Sequence, residues 1–172
     1  MKHLKSFESF EINEELLGMP KLSEVKAKLQ DWLSKNKNNP ELQEALQKVK
    51  EEYAKLDPAT QSKLKSLSKE TPEEIKAEVE PELVGESMIN EGIDWKNILA
   101  KFFKVLGITV AGAGLITAIW AVIQIAAAGT GYTPMLGSTA GHVGAMGMVT
   151  VLSSIIPFLF SILLTPEDKA RS

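Results

Sequence analysis

Apolar positions in the first half of the chain recur at three- and four-residue spacing, in short runs closed by proline. Leu22, Val25, Leu29 and Trp32 or Leu33 form one run, with Lys and Glu between them, which predicts an amphipathic helix. Asn36-Lys37-Asn38-Asn39-Pro40 ends it, because Asn favours helix caps and Pro lacks the donor a continuing helix needs. A second stripe holds Leu42, Leu46, Val49, Tyr53 and Leu56. Asp57-Pro58 then supplies an N-cap and a proline suited to the first helical position, leading to Leu64 and Leu67. Thr71-Pro72-Glu73-Glu74 repeats that start, with Glu74 placed to close a capping box ahead of Ile75 and Val79. The stripes are narrow, about one large apolar residue per turn. They suit a small self-contained bundle or stalk, or a platform for a protein partner of residues 20–80.

The second half has a different pattern. No Asp, Glu, Lys or Arg occurs between Lys104 and Glu167, a run of 62 residues. Residues 1–94 carry 14 Lys/Arg against 20 Asp/Glu, and residues 95–172 carry 5 against 2. A water-facing domain seldom leaves so long a stretch uncharged, so the even overall composition hides two unlike parts. Val105–Ala128 would reach about 36 Å as a helix, enough for a hydrocarbon core of roughly 30 Å. Its ten Val, Leu and Ile residues favour insertion by on the order of 3–6 kcal/mol. Val143–Leu164 forms a second such segment, with Pro157 inside it. The expectation is two membrane spans. Lys96, Lys101 and Lys104 before them and Lys169 and Arg171 after them place both termini in the cytoplasm.

Just before the first segment, Trp95, Ile98, Leu99, Phe102 and Phe103 share one side, opposite Lys96, Asn97, Lys101 and Lys104. With Asp94 as N-cap this predicts an interfacial helix, anchored by Trp95, Lys96, Lys101, Phe102, Phe103 and Lys104. Small residues four apart let helix backbones approach closely. Gly107, Gly114, Ala118, Ala140, Gly144 and Gly147 are therefore the candidate packing positions, within one chain or between chains. The polar groups in the apolar segments are Thr109, Thr117, Gln124, Thr150, Ser153, Ser154 and Ser161, and none is ionisable. A soluble alternative is a hydrophobic hairpin sequestered inside a larger assembly.

Candidate chemistry is sparse. The chain has no Cys and only two His, His3 and His142, which excludes disulfides, thiolate metal sites and histidine-rich metal sites. Ala111-Gly112-Ala113-Gly114 lacks the Lys-Ser/Thr that a phosphate loop needs. Ser138 and His142 have no orienting acid nearby in sequence. Lys and Glu interleave in the first half without a basic stripe, which argues against nucleic acid. No catalytic site, cofactor or metal is expected.

The opening Met1-Lys2-His3-Leu4-Lys5-Ser6-Phe7-Glu8-Ser9-Phe10-Glu11-Ile12-Asn13-Glu14 resembles the capsid-targeting leader of internal head proteins of T-even-type tailed phages. These leaders begin Met-Lys, place aromatics a few residues on and run into an Ile/Leu-x-Glu triplet. The family's maturation protease cuts after such a Glu when a small residue follows. Ile12-Asn13-Glu14 is followed by Glu15, which departs from the pattern. Val84-Gly85-Glu86 before Ser87 is a weaker variant, and Ile89-Asn90-Glu91-Gly92 fits best. It lies where the composition changes, in a stretch marked by Pro81, Gly85, Ser87 and Gly92.

The sequence thus predicts an all-α chain, with short amphipathic helices in the N-terminal half followed by a two-helix transmembrane hairpin. Residues 1–18 are leader-like, 19–80 a polar helical region, 81–93 a linker, and 94–172 the interfacial helix and the hairpin. The expected function is a non-enzymatic two-pass membrane protein, phage-encoded, with the lipid bilayer and further copies of itself as partners. The resemblance implies that processing after Glu91 releases a membrane-active hairpin from an internal virion protein. The alternatives are a holin-like lysis pore and a membrane-anchored adaptor.

Overall fold

The boundaries of the first four helices follow from their caps. In the computed structural model, which describes residues 21–85, 95–130 and 141–164, α1 runs from Leu22 to Lys35 and α2 from Pro40 to Ala54. The Asn39 side chain accepts from the N–H groups of Glu41 and Leu42 at 2.9 and 3.2 Å, satisfying donors that a helix start leaves open. Helix α3, Pro58–Leu67, is capped by Asp57, whose carboxylate accepts from the Thr60 N–H at 2.9 Å. Helix α4, Pro72–Gly85, starts with the predicted capping box: Thr71 N–H donates to Glu74 at 2.9 Å, and Glu74 N–H to the Thr71 hydroxyl at 3.3 Å. It continues through Pro81 into the stretch expected as linker, adding Leu83 to its buried face. Pro81 leaves the carbonyl of Ala77 without its helical donor, and both residues lie on the exposed side.

Helix α5, Trp95–Val105, ends on a glycine stop. Gly107 takes a left-handed φ of 68°; its N–H donates to the Lys104 carbonyl at 3.0 Å, and the Ile108 N–H to the Phe103 carbonyl at 2.9 Å. This pair of bonds is the Schellman closure, which needs a residue tolerant of positive φ at that point. A second left-handed residue, Gly112 at φ 89°, precedes α6, Gly114–Thr130. The last helix, α7, spans Gly141–Leu163. All seven elements are helical, and no strand occurs among the described residues.

The apolar stripes of α1–α4 do not face one another. The main packing partners are α2 with α6, α4 with α7 and α5, α1 with both α6 and α7, α3 with α7, and α5 with α6. One continuous core results. It joins Val25, Leu29, Leu42, Val49, Leu64, Ile75 and Val79 from the polar half to Ile119, Ile123, Ile156 and Phe160 from the apolar half. Met148 to Pro157 is buried without a break, the hydroxyls of Thr150, Ser153 and Ser154 included, as expected for a largely apolar helix enclosed by other helices.

This packing corrects the membrane reading. Among the described residues no helix is long and apolar enough to cross a membrane. The first expected span, Val105–Ala128, is broken by the Gly107 stop, leaving α6 with 17 residues and a length of about 25 Å. The second coincides with α7 as far as Leu163, and the residues from Gly147 to Pro157 are buried, with α1, α3 and α4 packed against the helix. The two-pass membrane protein, the transmembrane hairpin, the membrane location with cytoplasmic termini, and the holin-like and membrane-anchored alternatives all required those spans. The described apolar residues of the uncharged run, from α6 and α7, instead share one core with the chain's own amphipathic helices.

Candidate functional site

Two hydroxyls of α7, those of Ser154 and Ser161, line a half-open cleft of about 160 Å³. Ser154, Pro157, Phe158 and Ser161 form its floor; Lys26 and Gln30 of α1, Ser68 and Glu70 of the α3–α4 turn, and Pro72 at the start of α4 form its walls. The floor hydroxyls are turned to their own helix. Ser154 donates to the Thr150 carbonyl at 3.0 Å, and Ser161 to the Phe158 carbonyl at 2.7 Å. Burial pushes the Glu70 carboxyl above the usual range, with the negative charges of Glu78 and Glu74 adding to the effect. Next to Ser154 in sequence, the fully buried Ser153 hydroxyl has no hydrogen-bond partner. Pro157, four residues on, also brings no N–H to the Ser153 carbonyl, so the centre of α7 carries a polar defect.

A second cavity, of about 360 Å³, opens between the ends of α4 and α5 and is lined by Glu82, Leu83, Lys101, Lys104 and Val105. Nearby, α3 clasps the loop after α5. The Thr60 hydroxyl reaches the Thr109 carbonyl at 3.3 Å, and the Lys63 ammonium donates to the Gly107 carbonyl. No group of three or more His, Cys, Asp or Glu suited to a metal occurs among the described residues.

The residues singled out from sequence have varied surroundings. Trp95 stacks on Trp120, with ring centroids 5.3 Å apart and planes 16° from parallel. Phe102 and Phe103 are fully buried and meet edge to face. Lys96, Lys101 and Lys104 are exposed on α5. Thr117 and Gln124 lie on the exposed side of α6. Gly107 is the helix stop. Gly114 lies under the Glu52 carboxylate of α2, and Ala118 is buried one turn further on. Gly147 is buried in α7 and Gly144 belongs to the same helix, while Ala140 lies outside the described residues. So do the leader and the candidate cleavage residues Ile89, Asn90, Glu91 and Gly92.

Sequence reasoning did not find Gly129, where the Trp32 indole takes the space a side chain would need. It also missed Lys26, Gln30 and Glu70 as cleft walls. Ser154 and Ser161, seven apart on one helix face, were the only signal of the cleft. Comparison of the chain with protein-family models, curated proteins and solved structures finds no match in any of the three.

Proposed function

We propose that the chain is non-enzymatic cargo of an assembling phage head, carried there by its leader. The observation behind this reading is the leader-like sequence Met1–Glu14, followed by a helical unit that begins at Leu22 with a core of its own. A partner of residues 20–80 would meet the charged outer faces of α1–α4, since their apolar stripes lie in the core. In this reading the Ile89-Asn90-Glu91-Gly92 sequence, between α4 and α5, is the processing site.

The test is packaging. A fluorescent protein carrying residues 1–20 should enter heads assembled by a T-even-type phage, and mass spectrometry of purified particles should find a peptide beginning at Gly92. Equal exclusion of the fusion and of a leaderless control would overturn the proposal.

A further inference from the structure

We infer that Leu22–Gly85 and Trp95–Leu163 are complementary binding partners, so that the particle persists as a two-chain complex when the backbone between them is cut. The main contacts of every helix in the first segment are to helices of the second: α1 to α6 and α7, α2 to α6, α3 to α7, and α4 to α5 and α7. None of the main pairs joins two of α1–α4. The first segment therefore buries its stripes mainly on the second. The second is equally dependent, because α6 and α7 are not a main pair, and α1 lies against both.

The joints between segments are specific as well as apolar. Tyr53 packs on Phe160 with ring centroids 5.9 Å apart. The Trp32 indole fills the notch at Gly129 and the Glu52 carboxylate the notch at Gly114. The Thr60 hydroxyl and the Lys63 ammonium bond the loop at Thr109 and Gly107. A surface with apolar burial, aromatic anchors in notches and polar contacts to backbone has the make-up of a stable protein–protein interface. The partner it fits is the other half of the same chain. Under the head-protein reading, on which this consequence alone rests, cleavage after Glu91 nicks the particle and releases no hairpin.

The experiment uses the full chain with Ser87–Gly92 replaced by the recognition sequence of a site-specific protease, folded first and then cut to completion. On size exclusion without denaturant, both pieces should elute together at the position of the uncut protein. They should separate when denaturant is added, and the cut protein's Tm should become concentration-dependent, as for any two-chain particle. Separate elution of the pieces, or precipitation of either one after cutting, would overturn the inference. Packaging of a leader fusion is untouched by this experiment, so the two proposals fail independently.

Discussion

Tyr53 of α2 lies against Phe160 of α7, the ring centroids 5.9 Å apart and the planes inclined at 48°. Phe160 is wholly buried and Tyr53 half-buried, its hydroxyl donating to the Gln61 carbonyl at 3.2 Å. The contact joins the charged half of the sequence to the uncharged half, 107 positions apart by number. Phe160→Ala should cost about 3–5 kcal/mol of unfolding free energy, as cavity-forming aromatic truncations do. Tyr53→Phe should cost only about 0.5–1.5 kcal/mol, the worth of one hydrogen bond. Urea titrations of the two variants check both values. An Ala variant at 160 as stable as the parent chain would remove α7 from the core.

Two glycines should respond differently to the same substitution. At Gly129 an added methyl meets the Trp32 indole, a stiff ring held in the core boundary, whereas at Gly114 it meets the flexible end of Glu52. Both glycines lie in the end turns of α6, so alanine gains less there than the roughly 1 kcal/mol of a helix interior. Overpacking against a ring costs about 1–3 kcal/mol. Gly114→Ala should therefore be close to neutral and Gly129→Ala destabilising, as read by thermal unfolding.

The starts of α2, α3 and α4 were legible in the sequence because their causes are local. Asn39-Pro40, Asp57-Pro58 and Thr71-Pro72-Glu73-Glu74 each carry a cap acceptor, a suitable proline, or both, and each helix begins there. The partners of the stripes were not legible. An apolar face states that it will be covered and says nothing of what covers it, so 62 uncharged residues fit a bilayer and a jacket of helices equally well. The decisive signal was Gly107, three residues after Lys104. A basic residue in the last turn with a glycine just beyond is a helix stop, and it was overlooked inside a run of helix-length apolarity. The cleft was legible only at its floor, because Lys26, Glu70 and Ser154 come together from three distant stretches of chain.

Ser153 is the place where the core is least well satisfied. Its hydroxyl is buried without a partner, and an unpaired buried hydroxyl costs about 1–3 kcal/mol relative to one that is removed or paired. Ser153→Ala should accordingly stabilise the protein, by about 1 kcal/mol after the loss of a small packing volume. A fall in Tm for this variant would mean that the hydroxyl has a partner.

Stability should depend on pH through groups of opposite sign. The Thr60 hydroxyl and N–H hold the Asp57 carboxyl below its ordinary value, and the Thr71 N–H and hydroxyl do the same for Glu74. Groups so depressed stabilise the fold above their unfolded value and lose that contribution as pH falls through the folded one. Both losses therefore lie below about pH 4. Glu70 is raised by burial and by its acidic neighbours. Its contribution is favourable below its ordinary value and is lost as pH rises through the folded value. Glu70→Gln should thus raise Tm at pH 7 and have little effect at pH 3. A Tm at pH 7 below that of the parent would mean that the carboxylate is stabilised where it sits.

The most direct test of the central claim, that the amphipathic first half covers the uncharged second half, uses the Glu52 carboxylate and the notch at Gly114. The chain has no cysteine, so the double substitution Glu52→Cys and Gly114→Cys introduces the only thiols and can be cross-linked without background. A short bifunctional maleimide should join the two positions rapidly within one chain, giving a monomer of altered mobility on denaturing gels, with neither single variant reacting so. Failure to cross-link, or cross-links only between chains, would contradict the packing of α2 on α6.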